Sequence, residues 1–419
     1  MPTRREFIKR AAGAATVGLI IPRSLLQARP YSTAAATNRR ILVVLQFIGG
    51  NDGLNTVIPY TDDQYHRLRP TLGFKEGDLK DDQGRSTIIS DRFGLHPSLT
   101  KIKDLYDQGR VAIVQGVGYP NPSDSHFTSS DIWHTGNPGL PTGNGWLGRY
   151  ADLALADQTG LQIVAETFAI PRSLSADKAI AVSFSSSTLT SYAFQTDAQY
   201  PAGRESQVGL FSANNSSMFP AGSLLDTISR DGIDALRSAD DIARAIDGYS
   251  STVAYPSGNS LADAFKVVVE IVSGVPEANL LYLLLSDFDT HAQQADRHRS
   301  LLSEFGDAVK AFYDDLSVHG LADNVVMMQW SEFGRRPEEN GSVGTDHGAA
   351  SSIFVIGNPV TGGLYGDEPS LAPGDLDPVG NPRFTLDFRS VYATVLDRWL
   401  NFDSRLVLGG EFPALDFLA

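Results

Sequence analysis

Five short stretches of this chain gather residue types that bind metals or attack esters. "GGNDG" (Gly49 to Gly53) presents Asp52 on a turn that its glycines allow to bend sharply and approach a ligand. Asp52 is therefore a candidate for contact with a bound ligand, with capping of the following turn as the plain structural reading. "DTH" (Asp289 to His291) places a carboxylate and an imidazole two residues apart, able to converge on an ion from one loop. "GTDHG" (Gly344 to Gly348) sets Asp346 beside His347 between glycines, a donor pair that suits zinc, manganese or a similar divalent cation. "SEFGRR" (Ser331 to Arg336) adds the carboxylate of Glu332 and the planar fork of Arg335, which matches a phosphate, sulfate or carboxylate. "SDSHFTSS" (Ser123 to Ser130) supplies hydroxyls and His126 after a Pro-rich turn. A helix starting there makes Ser125 a candidate nucleophile, because amides at a helix N-terminus stabilise negative charge; capping by Ser123 or Asp124 is the bland reading.

Other chemistry is disfavoured. The chain has no cysteine, so neither a disulfide framework nor a thiolate ligand or nucleophile exists, and any metal must rest on His, carboxylates and neutral oxygens. No Gly-x-Ser-x-Gly elbow, Gly-x-Gly-x-x-Gly loop or P-loop occurs. His298 lies seven residues after His291, as an outer partner or a surface residue, while His66, His96, His134 and His319 lack ligand-like neighbours.

Apolar, β-branched runs at 39–47, 111–117, 179–184, 280–288, 324–330 and 351–357 read as buried strands. Helical periodicity at 97–109, 262–274, 298–320 and 387–400 alternates with them. The product is an α/β fold with a mostly parallel central sheet and helices on both faces. In such sheets ligands bind beyond the carboxyl ends of the strands, and the stretches above follow those ends. Between 152 and 261 the chain is richer in Ser, Ala and Asn, which suggests a cap or insertion within a single domain spanning 37–419.

Residues 1–36 read as an export signal with a short following segment: a basic head, a weakly apolar stretch from Ala11 to Pro22 too short for a bilayer, then small residues. "TRREFIK" (Thr3 to Lys9) resembles the twin-arginine consensus, with cleavage after Ala28 or within 32–37. The expected partner is the twin-arginine translocase and the expected location periplasmic or extracellular, with no stable membrane span. The chain carries a formal charge of −15; loss of the segment to Ala28, with five basic residues and one acid, leaves it near −19. Nucleic acid and anionic membrane surfaces are disfavoured partners, and an anionic substrate requires a local positive focus such as a metal.

In order along the chain, "GGNDGLN", "VGYPNPSDSHFTSSDIWHTG", "DTHAQQADRHRSLL", "SEFGRRPEENGSVGTDHG" and "LDFRSVYATVLDRWL" resemble the bacterial family called domain of unknown function 1501, a distant branch of the alkaline phosphatase and sulfatase superfamily. That resemblance implies an alkaline phosphatase-like fold and a site for one or two divalent ions (zinc, manganese, magnesium or calcium). It assigns metal ligation to Asp52, Asp289, His291, Asp346 and His347, and the nucleophile to Ser125. Two departures stand out. No histidine follows His347, a vacancy Glu332 could fill, and Asp287, four before His291, competes with Asp289 as the ligand. The sulfatase signature, Cys or Ser followed by x-Pro-x-Arg, is absent. The implied activity is hydrolysis of phosphate or sulfate esters, in which one metal lowers the pKa of Ser125 or a water while the other, with Arg335, balances charge on the transferred group. The alternative is a non-catalytic secreted protein of the same fold that binds or scaffolds a cell-envelope polymer.

Overall fold

The structure is a computed structural model that describes residues 39–156, 160–167, 169–184, 219–220 and 223–419. The described residues fall within one compact unit. The proposed signal at 1–36 and much of the Ser/Ala-rich region lie outside the described residues.

The apolar runs become strands for the reason that predicts them: both faces are covered. In β1 (Ile41–Phe47) every residue is buried, with Ile41, Val43, Leu45 and Phe47 in one core and Leu42 and Val44 in the other. A short ribbon pairs β2 (Val57–Ile58) with β3 (Gly94–Leu95). The main sheet then takes β4 (Val111–Gly118), β5 (Ile163–Glu166), β6 (Ala181–Phe184), β7 (Leu280–Leu285) and β8 (Val325–Ser331). Beyond them, β9 (Arg335–Glu339) and β10 (Thr345–His347) form a separate antiparallel pair, and β11 (Ser351–Ile356), β12 (Gly363–Tyr365) and β13 (Leu386–Asp387) return to the main sheet. Its order is β12-β4-β11-β8-β1-β7-β5-β6, with β13 also on β4.

Every pairing in this sheet is parallel except those of β11, which runs antiparallel to β4 and β8. The amino end of β11 therefore lies at the same edge as the carboxyl ends of β1, β4, β7 and β8. This reversal brings "GTDHG", which precedes a strand, to the loops that follow strands.

The short helix α1 (Gly53–Thr56) opens directly after β1, and α2 (Asp63–Leu68) follows β2. One core is covered by α3 (Thr100–Asp107), α7 (Ser260–Gly274) and α8 (Gln294–Val318), which bury Ile102, Phe265 and Phe305 among others. The opposite core is covered by α4 (His126–Thr135), α5 (Trp146–Ala154) and α9 (Phe388–Thr394), with Trp133, Trp146 and Tyr392. Helix α6 (Leu224–Asp247) packs on α7, and α10 (Ser404–Leu408) closes the chain's helical set. Within 152–261, the described strands β5 and β6 extend the central sheet beside β7. No helix among the described residues is long and apolar enough to cross a membrane.

Candidate metal centre

Three loops meet at the sheet edge because glycines let them. Gly49, at φ +117, passes so near the β7 loop that an added Cβ would stand 2.4 Å from the Asp289 nitrogen. Gly344 would likewise place a Cβ 2.2 Å from the His291 carbonyl carbon. Asp287, Gln293 and Val343 adopt positive φ around the same junction, the last a β-branched residue in a region such residues avoid.

At the junction, three ligand atoms form a small triangle. His291 Nε2 lies 2.9 Å from His347 Nε2 and 3.0 Å from Asp289 Oδ1, and His347 Nε2 lies 3.1 Å from that same oxygen. His126 joins from α4: its Nε2 is 3.5 Å from Asp289 Oδ2, and His126, Asp289 and His347 each offer an atom within 4.8 Å of the others. Phe333 packs against the rings of both His126 and His347. The side chains of Asp289 and His291 are about half exposed (47% and 44%), so the centre opens to solvent.

The partners of the Nδ1 atoms decide where the protons sit. His347 Nδ1 is 2.7 Å from the Asp124 carbonyl, which can only accept, so Nδ1 carries the hydrogen. His126 Nδ1 is 2.7 Å from Glu332 Oε1, and His291 Nδ1 is 3.3 Å from Asp346 Oδ1, again oxygens of acidic side chains. In the neutral rings this leaves each Nε2 lone pair facing the centre, whereas a protonated His347 would also donate from Nε2 to Asp289. Two lone pairs and a carboxylate oxygen at about 3 Å repel one another unless a positive charge sits among them. A proton on one Nε2 relieves one contact, whereas a divalent cation relieves all three. Ligand atoms of a tetrahedral zinc, each about 2.0–2.1 Å from the ion, stand about 3.3 Å apart, close to the edges observed. His126 Nε2 is also buried without a hydrogen-bond partner. The donor set fits a divalent cation.

The electrostatics favour the anionic ligand. Burial opposes ionisation of Asp289, but the hydrogen bond and charge of Arg335 and the neighbouring imidazoles outweigh it and hold the carboxyl down to about 2. Asp346 is lowered too, chiefly by the Asn340 amide. His126 is raised above the ordinary imidazole value by its hydrogen bond to Glu332.

The remaining sequence candidates have other partners. Asp289 rather than Asp287 faces the cluster; Asp287 is 69% exposed and pairs with Arg297. Asp52 is buried in an ion pair, accepting from Arg69 Nη1 at 2.6 Å and from the Gln294 amide, while its Oδ1 caps Asn55 N at 3.3 Å. Both predicted readings of Asp52 thus bear on one residue, and the cap is the one its contacts display. Burial resists the charge, yet Arg69 keeps the Asp52 carboxyl below its ordinary value.

Glu332 is fully buried and accepts from Gly49 N at 2.8 Å as well as facing His126, which makes it an orienting partner of an imidazole. Arg335 is equally buried. Its guanidinium donates to Gly50 O at 2.7 Å, Thr345 O at 2.9 Å, Gly49 O, and Asp289 Oδ1 at 2.7 Å. The fork predicted to grip an anion instead ties three loops together and positions Asp289. Ser125 is the exposed N-cap of α4, its Oγ 3.5 Å from Thr128 N. His298 is buried behind the site, 3.0 Å from Asn51 Oδ1, and burial lowers it to about 4.

Sequence reasoning did not single out His126 as a ligand, or Arg69 at all. For His126 the signal was its place next to Ser125 after a strand; for Arg69, 17 residues beyond Asp52 on another element, no local signal existed.

Fold and site together define an α/β protein with an imidazole–carboxylate centre at the carboxyl edge of a mostly parallel sheet. Residues 268–409 match the model of a family described as "Protein of unknown function (DUF1501)", which bears out the family resemblance over that segment. No curated protein sequence matches the chain. Among solved structures the chain is similar to the alkaline phosphatase from the Antarctic bacterium TAB5, at 12% identity over 78% of this chain and 94% of that one, with TM-score 0.32. It is also similar to the PsFucS1 sulfatase from Pseudoalteromonas sp., at 14% identity over 92% and 73%, with TM-score 0.38. A third is the C-terminal periplasmic domain of EcEptC from Escherichia coli in complex with Zn, at 8% identity over 77% and 74%, with TM-score 0.36.

Proposed function

We propose that this chain is an exported, divalent-metal-dependent hydrolase of phosphate or sulfate esters. The observation that carries the reading is the triangle of His291 Nε2, His347 Nε2 and Asp289 Oδ1 with edges of 2.9–3.1 Å, open to solvent and flanked by His126. When bound there, a divalent cation supplies Lewis-acid polarisation of an ester oxygen and eases deprotonation of a hydroxyl.

The chain's own residues supply the rest. Asp289, His291, His347 and His126 would hold the cation, and Arg335, Asp346, Asp124 and Glu332 orient them. Ser125 offers an exposed hydroxyl at the N-terminus of the ten-residue helix α4, where the Thr128 amide donates to its Oγ and the helix start favours a developing negative charge. His126, one residue on, ties that helix start to the centre through Glu332 and Asp289. The twin-arginine-like start supports folding with metal before export.

The test is turnover of p-nitrophenyl phosphate and p-nitrophenyl sulfate by protein loaded in turn with zinc, manganese, magnesium and calcium. Turnover is expected, and Ser125→Ala should lower kcat by about 100-fold or more with metal content retained. A metal-replete protein inert toward both ester classes would move the chain to the envelope-polymer binding reading. Full activity in Ser125→Ala would reassign the attack to water.

A further inference from the structure

We infer that the chain holds one divalent cation rather than two, and that the buried Arg69 guanidinium supplies the positive charge beside Asp52 that a second ion would otherwise provide. This rests on the metal-dependent reading above and narrows it.

A second site would have to draw on Asp52, Glu332 or Asp346, and the contacts of each argue against it. Both Asp52 oxygens are engaged: Oδ2 by Arg69 and Gln294, Oδ1 by Asn55 N. The Arg69 and Asp52 side chains are 0% exposed. Arg69 is itself anchored, donating from Nε to Pro337 O at 2.8 Å and from Nη2 to Arg336 O at 3.0 Å. A cation binding Asp52 would have to displace a charged group from three acceptors in the buried interior.

Glu332 is 0% exposed, and its Oε1 already meets Gly49 N and His126 Nδ1, while Ser331 Oγ donates to Oε2 at 3.2 Å. Asp346 Oδ1 meets Asn340 Nδ2 at 3.1 Å and His291 Nδ1 at 3.3 Å, which makes it an outer partner of an imidazole. Charge leads to the same count. Asp52 is paired with Arg69 and Asp289 with Arg335, so one dication set against Glu332 and Asp346 leaves these groups near neutrality. A second dication would add two positive charges within a site already holding two buried guanidinium groups. Among the described residues, the one group of three or more His, Asp or Glu side chains able to converge on an ion is that of His126, Asp289 and His347, which His291 joins through its contacts with the last two.

The test is metal stoichiometry on the full chain after dialysis against chelator, by titration calorimetry with zinc and manganese and by elemental mass spectrometry. One equivalent is expected in the wild type, one in Asp52→Asn, and at least tenfold weaker binding in His126→Ala, each variant checked for its fold by circular dichroism. Two equivalents in the wild type would overturn the single-cation assignment while leaving the metal-dependent function intact. Loss of the metal from a folded Asp52→Asn would overturn the role given to Arg69, and unchanged affinity in His126→Ala would remove that residue from the set. Absence of any metal from the folded wild type would instead defeat the parent reading. If Asp52→Asn fails to fold, the wild-type count and His126→Ala decide.

Discussion

Replacing Arg69 with methionine tests the electrostatic core of the site. The guanidinium and the Asp52 carboxylate are both excluded from solvent and 2.6 Å apart, so Arg69→Met leaves a buried carboxylate supported only by the Gln294 amide and Asn55 N. Breaking a buried pair on one side costs about 3–5 kcal/mol, because the remaining charge is left uncompensated. Arg336 O and Pro337 O lose their donors too, at about 1 kcal/mol each, which offsets whatever the methionine gains by packing. The expected loss is therefore about 3–5 kcal/mol, read as a shift of the urea midpoint at pH 7 with unchanged slope. Adding Asp52→Asn removes the stranded charge, so the double variant should recover about 2 kcal/mol relative to Arg69→Met. The pH sign follows from the depressed Asp52 value: the pair's stabilisation is present above the unfolded carboxyl pKa and is lost as pH falls through the folded one, so the penalty should shrink toward acid. A cost under about 1 kcal/mol, or a double variant no more stable than Arg69→Met, would refute this account of the pair.

Removing an apex of the triangle, His347→Ala should reduce metal content from near-stoichiometric to background by elemental mass spectrometry, with the circular dichroism spectrum retained. Glu270, buried on α7, is pushed up to about 7 by burial, which outweighs Lys266, with Asp315 adding to the rise. The folded state then keeps a proton that the unfolded chain has released. Stability should fall as pH rises from about 4.5 to 7, and Glu270→Gln should raise Tm more at pH 8 than at pH 5; equal shifts at both would refute it. In α5, Gly148→Ala would drive a Cβ to 1.8 Å from the Ser175 carbonyl oxygen, so the loop must move, at about 1–3 kcal/mol or more by thermal or urea unfolding.

The strands and helices were legible because their cause is local. Phe47 and Ile41 sit in an apolar run that any doubly covered strand requires, and the predicted runs at 111–117 and 351–357 coincide with β4 and β11 almost residue for residue. The helical pattern at 298–320 falls within and just beyond α8. The Asp289–His291 and Asp346–His347 pairs were visible because their donors are adjacent in sequence. The choice between Asp287 and Asp289 was not, since a positive φ at Asp287 turns the chain between them. Arg335 was read as an anion fork from its chemistry, but its direction depends on Gly49 O, Gly50 O and Thr345 O, carbonyls from two other segments.

By itself, then, the sequence determined the alternation of buried strands and amphipathic helices, the absence of thiolate chemistry, and the short stretches able to supply metal ligands. Those follow from periodicity and composition, which act over a few residues. Only the tertiary structure decided that β11 runs backward and carries His347 to His291, that α4 turns His126 onto Asp289, and that Arg69 occupies Asp52. Each depends on groups brought together across 50 residues or more, or from separate elements, by the burial of two apolar cores, and their local sequence does not encode which partner will be there.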